Sequence, residues 1–149
     1  MKKARFILPV LAALLLAAGL TSCEPEYFGD SNTRVMQTTV YWNQWIDDGQ
    51  TNYLYCELDW PALNTEVLTY GSITAYVYDG DYQNPLPYVI PITYTLASGA
   101  TVVVPENIRY DLQPGKITFI MQDLDGNMPE GIVNSAPLTF RAVINMPVK

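Results

Sequence analysis

The chain has 149 residues, of which 49% are apolar and only 15% charged, with 8 basic against 15 acidic side chains and no histidine. Lys2, Lys3 and Arg5 take three of the basic residues, so everything after residue 22 carries five basic and fifteen acidic residues, a net of −10. A nucleic-acid surface needs clustered Lys and Arg, and here Arg34, Arg109, Lys116, Arg141 and Lys149 stand singly, which excludes nucleic acid as a partner. The lack of histidine removes Ser-His and Cys-His nucleophile pairs and His-ligated zinc. No cofactor-binding motif is present.

Residues 1–22 read as a targeting segment: a basic start from Met1 to Arg5, then an apolar run from Phe6 to Leu20. Fifteen residues fall short of the roughly 20 needed to span a bilayer as a helix, so the run predicts a secretory signal. It ends in Leu20-Thr21-Ser22-Cys23, which resembles the bacterial lipoprotein box. That resemblance implies a mature chain starting at Cys23, its sulfur carrying the lipid that anchors it to the membrane. The next residues, Glu24-Pro25-Glu26, resemble the acidic export signal of surface-displayed Bacteroidota lipoproteins and also suit any solvated tether. Residues 23–33 are expected to be the lipidated cysteine and tether, and residues 34–149 the folded domain.

From Val35 onward the hydrophobic period is two, the signature of strands. Val35 to Trp42 places Met36, Val40 and Trp42 on one face. Asn52 to Trp60 does the same with Leu54, Cys56, Leu58 and Trp60; Cys56 has no evident partner or activating base and reads as a small buried hydrophobe. Pro61 to Gly71 departs from the pattern: Leu63, Val67 and Tyr70 at helical spacing, with Pro61 early and Gly71 at the stop, predict one or two helical turns.

Strands resume at Ser72 to Tyr78, with Ile73, Ala75 and Val77 inward and Thr74, Tyr76 and Tyr78 outward. Leu86 to Leu96 points Leu86, Tyr88, Ile90, Ile92, Tyr94 and Leu96 one way and Pro87, Val89 and Pro91 the other, which predicts an edge strand or a break near Pro91. Thr101 to Val104, resuming at Asn107 to Leu112, makes a fifth strand. Lys116 to Gln122 and Leu138 to Met146 complete a set of seven. The expectation is an all-β, about seven-stranded antiparallel sandwich of immunoglobulin or fibronectin type with one short helical turn.

Three carboxylate pairs, Asp47/Asp48, Asp79/Asp81 and Asp123/Asp125, have the composition of a glycosidase's acid and base, but each lies beside Gly or Asn where turn formation explains it. Asp123, Asp125 and Asn127 also form a weak calcium candidate with alternating oxygens; an EF-hand is ruled out because Met128 and Asn134 occupy its glycine and glutamate positions. Among the aromatics, Trp45 beside its turn, the Tyr76 and Tyr78 face, and the Tyr53 and Tyr55 face are the candidate glycan platforms. Their alternative is sheet stabilisation, since aromatic residues favour strands and pair across them.

Leu112-Gln113-Pro114-Gly115 resembles the Leu-x-Pro-Gly corner of fibronectin type III sandwiches, although the corner tyrosine would fall at Thr118. Gly71-Ser72-Ile73-Thr74-Ala75-Tyr76-Val77-Tyr78, Leu86-Pro87-Tyr88, Pro114-Gly115-Lys116-Ile117-Thr118-Phe119 and Leu138-Thr139-Phe140-Arg141-Ala142-Val143-Ile144 together are similar to a group of small Bacteroidota surface lipoproteins, over most of residues 35 to 145. The resemblance implies an outer-membrane address, facing the exterior or the periplasm, and an immunoglobulin-like domain, and brings no activity. The function expected is a non-catalytic binding or interaction module with a protein or glycan partner. The alternatives are a glycan-binding accessory protein using exposed aromatics and, from another class, a carboxylate-dependent hydrolase.

Overall fold

The computed structural model describes residues 25–30, 32–47, 49–125 and 128–147. The signal segment, Cys23, Asp48 and Asn127 lie outside the described residues. Ten strands form among the described residues: β1 (Glu26–Gly29), β2 (Thr33–Val40), β3 (Leu54–Asp59), β4 (Ser72–Asp79), β5 (Tyr82–Pro85), β6 (Tyr88–Leu96), β7 (Thr101–Gln113), β8 (Lys116–Asp123), β9 (Ile132–Ser135) and β10 (Leu138–Asn145). They build two antiparallel five-stranded sheets, in the orders β1-β2-β10-β4-β5 and β3-β8-β7-β6-β9. The fold is an all-β sandwich, as the period-two reading anticipates. No helix among the described residues is long and apolar enough to cross a membrane.

The seven anticipated strands are β2, β3, β4, β6, β7, β8 and β10. The other three are four-residue strands at sheet edges. β5 (YQNP) and β9 (IVNS) lack an alternating pattern; their neighbours' unpaired backbone groups recruit them. The third, β1, lies in the stretch read as tether: Glu26 pairs with Gln37 and Gly29 with Arg34, so the folded unit extends to Glu26. Gly29 makes that return possible. Its φ is 122°, and a Cβ there would stand 2.1 Å from the Thr33 carbonyl oxygen. The Asp30 carboxylate closes the turn by accepting from the N–H groups of Thr33 (2.7 Å) and Asn32 (2.8 Å), and those bonds hold its pKa below the ordinary value.

The broken fifth strand is corrected. β7 runs unbroken from Thr101 to Gln113 because Pro105 sits opposite Pro91, so one cross-strand position takes both residues that have no N–H to donate. β6 is half an edge: β7 pairs with it from Tyr88 to Thr95, whereas β9 covers its other side only from Tyr94 to Leu96. The helix is a single short segment, α1 (Thr65–Tyr70). Asn64 caps it by accepting from the Val67 N–H at 2.9 Å, Val67 is buried, and Tyr70 faces solvent at 69% exposure.

The core lies between the sheets. Met36, Val40, Ala75, Val77, Phe140, Ala142 and Ile144 from the first sheet meet Cys56, Ile90, Ile92, Ile108, Ile117, Phe119 and Met121 from the second. Phe119 and Phe140 stack at its centre with ring centroids 4.0 Å apart and planes 17° from parallel. Cys56 is a free thiol in this core, 3% exposed, and burial pushes its pKa up to about 11, which suits the inert role expected of it.

Candidate functional site

Strand directions sort the connections onto two ends. One end gathers the β2–β3 loop, the β4–β5 and β6–β7 turns and the β8–β9 loop. After β2, Trp42–Gln44 wind into a 3-10 turn in which the Gln44 side chain accepts from the Tyr41 N–H at 2.8 Å. The backbone bridge between Ile46 and Tyr55 then fixes the loop against β3. These constraints set two indoles in place. Trp42 meets Tyr94 edge-on at 5.9 Å and 75°, and Trp45 meets Phe140 edge-on at 6.2 Å and 68°.

A cleft of about 340 Å³ opens here. Trp42 and Trp45 form one side, Leu54, Met128, Pro129 and Ile132 the apolar remainder, and Asn43 and Asp47 supply the polar groups. Trp45 is 9% exposed and belongs to the core, so the open platform expected of it becomes one wall of a cleft. Trp42 is the half-buried indole beside it, and sequence reading did not single it out. Its signal lay in the spacing Trp42-Asn43-Gln44-Trp45, which puts two indoles on one helical turn.

A second, polar cleft of about 330 Å³ borders the same end and is lined by Asn52, Asn107, Gln122, Asp123, Leu124 and Asp125. A chain of contacts organises it: the Arg109 guanidinium lies 5.3 Å over the Tyr53 ring and donates to Gln122 at 2.9 Å, and Gln122 donates on to Asn52 at 3.0 Å. Arg109 thus occupies one face of Tyr53. Ile120, on the outer face beside Tyr55 and Arg109, is only 2% exposed, so the Tyr53 and Tyr55 face is a small packed cluster of its own.

Tyr76 and Tyr78 sit elsewhere, half-buried on the outer face of the first sheet, where Tyr76 is flanked by Arg141 and Pro85 and Tyr78 by Gln83. The structure does not bring them to Trp45. The described members of the acidic pairs are at turns or at the strand ends beside them. Asp47 accepts from the Gly49 N–H at 2.8 Å, Asp123 from the Asp125 N–H at 2.8 Å, and Asp79 and Asp81 flank Gly80 at φ 58°. Asp123 and Asp125 share the polar cleft, and no group of three Asp, Glu, His or Cys suited to a metal ion occurs among the described residues.

Behind the aromatic cleft lies a buried polar contact that the broken-strand reading hid. Tyr94 donates to Glu106 at 2.7 Å, both residues are 0% exposed, and the second Glu106 oxygen, Oε2, has no hydrogen-bond partner. Asp123 is the cross-strand neighbour of Glu106. Burial, reinforced by that neighbouring carboxylate, raises the pKa of Glu106, while the Tyr94 hydroxyl pulls against the shift. Burial also raises the Tyr94 phenol, with Glu106 adding to it. Continuing the parity Val102, Val104 through Glu106 to Ile108 would have placed this carboxyl in the core.

Comparison of the chain with protein-family models, with curated proteins and with solved structures finds no match.

Proposed function

We propose that this protein is a lipid-anchored component of the cell envelope, attached through Cys23, and that its sandwich is a non-catalytic binding module whose indole-lined end cleft takes a carbohydrate. The observation that carries the reading is the pairing of Trp42 and Trp45 with Asn43 and Asp47 around one cleft. Sugars offer apolar C–H faces and dense hydroxyls, and aromatic surface beside carboxylate and amide groups complements both. The neighbouring polar cleft, with Asn52, Asn107 and Gln122, would extend the same chemistry to further sugar units.

Tryptophan emission tests the glycan half. Titration with soluble polysaccharides is expected to quench or blue-shift emission saturably, and Trp42→Ala is expected to weaken that binding about tenfold, the loss of one anchoring aromatic contact of about 1.4 kcal/mol. A full panel of polysaccharides producing no change would remove the glycan reading.

The anchor is supported by Leu20-Thr21-Ser22-Cys23, and β1 begins three residues beyond Cys23. Three residues span at most about 10 Å, so a lipid on Cys23 would hold the edge of the first sheet close to the bilayer. Cys23→Ala is expected to abolish incorporation of labelled fatty acid and to leave an uncleaved precursor. Equal labelling of the variant would overturn the anchor and leave the cleft untouched.

A further inference from the structure

Glu106 sits in a costly arrangement. One of its oxygens accepts from the Tyr94 hydroxyl, while the other is hidden from solvent and has no partner. Asp123, its cross-strand neighbour on β8, adds a second carboxylate rather than a cation. An apolar pair of similar size would be neutral or stabilising in the same place, so burial energy does not account for the bond. A polar pair supplies direction instead. A hydroxyl donating to a carboxyl oxygen restricts both the place and the tilt of the ring that carries it.

Tyr94 is where that direction is used. Its hydroxyl also lies 3.6 Å from the Met121 sulfur, and its fully buried ring stands behind the indole cleft without lining it. Trp42, which does line the cleft, meets this ring edge-on with planes 75° apart. The 3-10 turn that carries Trp42 buries none of its own residues, so its internal bonds fix the backbone and leave the indole to be set by what it leans on. The facing wall is tied to the same residue through the sheet: Tyr94 pairs with Ser135, and two positions on, Leu96 pairs with Ile132, a lining residue of the cleft.

We propose that Tyr94 and Glu106 are positioning residues of the indole cleft, their bond holding the Tyr94 ring as the stop against which Trp42 is set. The inference rests on the reading of that cleft as the carbohydrate site. Neither residue reaches the ligand; both act through Trp42.

Position and stability can be separated in the whole protein. The chain has three tryptophans, so a proton–nitrogen correlation spectrum resolves three indole signals, and Trp42→Ala identifies the one that belongs to Trp42. Tyr94→Phe combined with Glu106→Met removes the bond and leaves neither partner orphaned, so the fold should hold at pH 8. In that variant the Trp42 signal is expected to move and broaden while the other two stay. Glu106→Gln, whose carboxamide oxygen still accepts from Tyr94, is expected to keep the parent's Trp42 signal. Cellohexaose is the binding probe, because its equatorial hydroxyls leave apolar C–H faces for an indole. Its affinity should match the parent's in Glu106→Gln and fall roughly threefold in the double variant.

An unchanged Trp42 signal in the double variant would overturn the proposal, as would an equal disturbance in Glu106→Gln. Unfolding of the double variant would overturn it too, because the pair would then serve stability. Cellohexaose binding to none of the proteins would count against the carbohydrate reading alone, since the indole signals decide the positioning without it.

Discussion

Replacing Phe140 with alanine is expected to come close to unfolding the domain. Phe140 is 0% exposed on β10, the middle strand of the first sheet, and stacks at 4.0 Å on Phe119 of β8, an interior strand of the second; Trp45 meets its edge from the end loop. Truncating such a ring forfeits its transfer free energy and leaves a cavity that two paired sheets cannot collapse to fill, a cost of about 3–5 kcal/mol. Domains of this size hold only about 5–15 kcal/mol in total, and the one cysteine among the described residues is a free thiol, so no disulfide there offsets the loss. Urea denaturation should show the midpoint falling by roughly 2–3 M at unchanged slope. Phe140→Leu, which keeps most of the volume and loses the stack, should cost about 1–1.5 kcal/mol. A loss below about 1 kcal/mol for the alanine variant would mean that the two sheets do not meet at this ring.

Raising the pH should destabilise the protein, with Glu106 as the cause. Its folded-state pKa lies above the unfolded value of 4.5 because burial disfavours the carboxylate, with Asp123 beside it. The native state therefore binds more protons than the unfolded chain once the pH exceeds about 4.5, and stability falls as pH rises through the folded-state value, by up to about 1.4 kcal/mol per pH unit for this one group. Tyr94→Phe should make matters worse, by about 1–3 kcal/mol at pH 8, because it removes the hydrogen bond to a carboxylate whose other oxygen already lacks a partner. The double variant Tyr94→Phe with Glu106→Met replaces both partners with apolar groups of similar size. It should be as stable as the parent or more so at pH 8 and lose most of the pH slope. Urea midpoints at pH 5 and pH 8 for the three proteins decide it; an undiminished slope in the double variant would assign the pH dependence to another group.

Much of the fold was legible because its strands keep one face dry. The alternations of Ile117, Phe119 and Met121 and of Phe140, Ala142 and Ile144 hold without interruption, and those side chains are all fully buried. Legibility failed where the backbone, rather than side-chain burial, decides. Glu26–Gly29, Tyr82–Pro85 and Ile132–Ser135 become strands because a neighbouring sheet edge has N–H and C=O groups to satisfy, a fact absent from their own residues. Pro105 and Glu106 argued for a break when read locally; Pro91 across the ladder and Tyr94 from β6 supply what makes the strand continuous.

The candidate sites divide in the same way. The absence of histidine is a matter of composition, and the turn bonds of Asp47 and Asp123 follow from the preference of Asp for Asx turns, which is a property of short stretches. Which aromatics share a cleft was beyond either. Trp45 and Tyr76 are 31 positions apart, and only the packing of the β2–β3 loop against Phe140 sends Trp45 inward while β4 turns Tyr76 to the outer face. Tyr27 and Asp59 likewise meet, phenol to backbone carbonyl, only when β1 folds back along β2 beside the end of β3. Solvent periodicity is written locally along a chain and can be read there; the meeting of distant side chains is a property of the closed sandwich, because register and sheet order set which residues become neighbours.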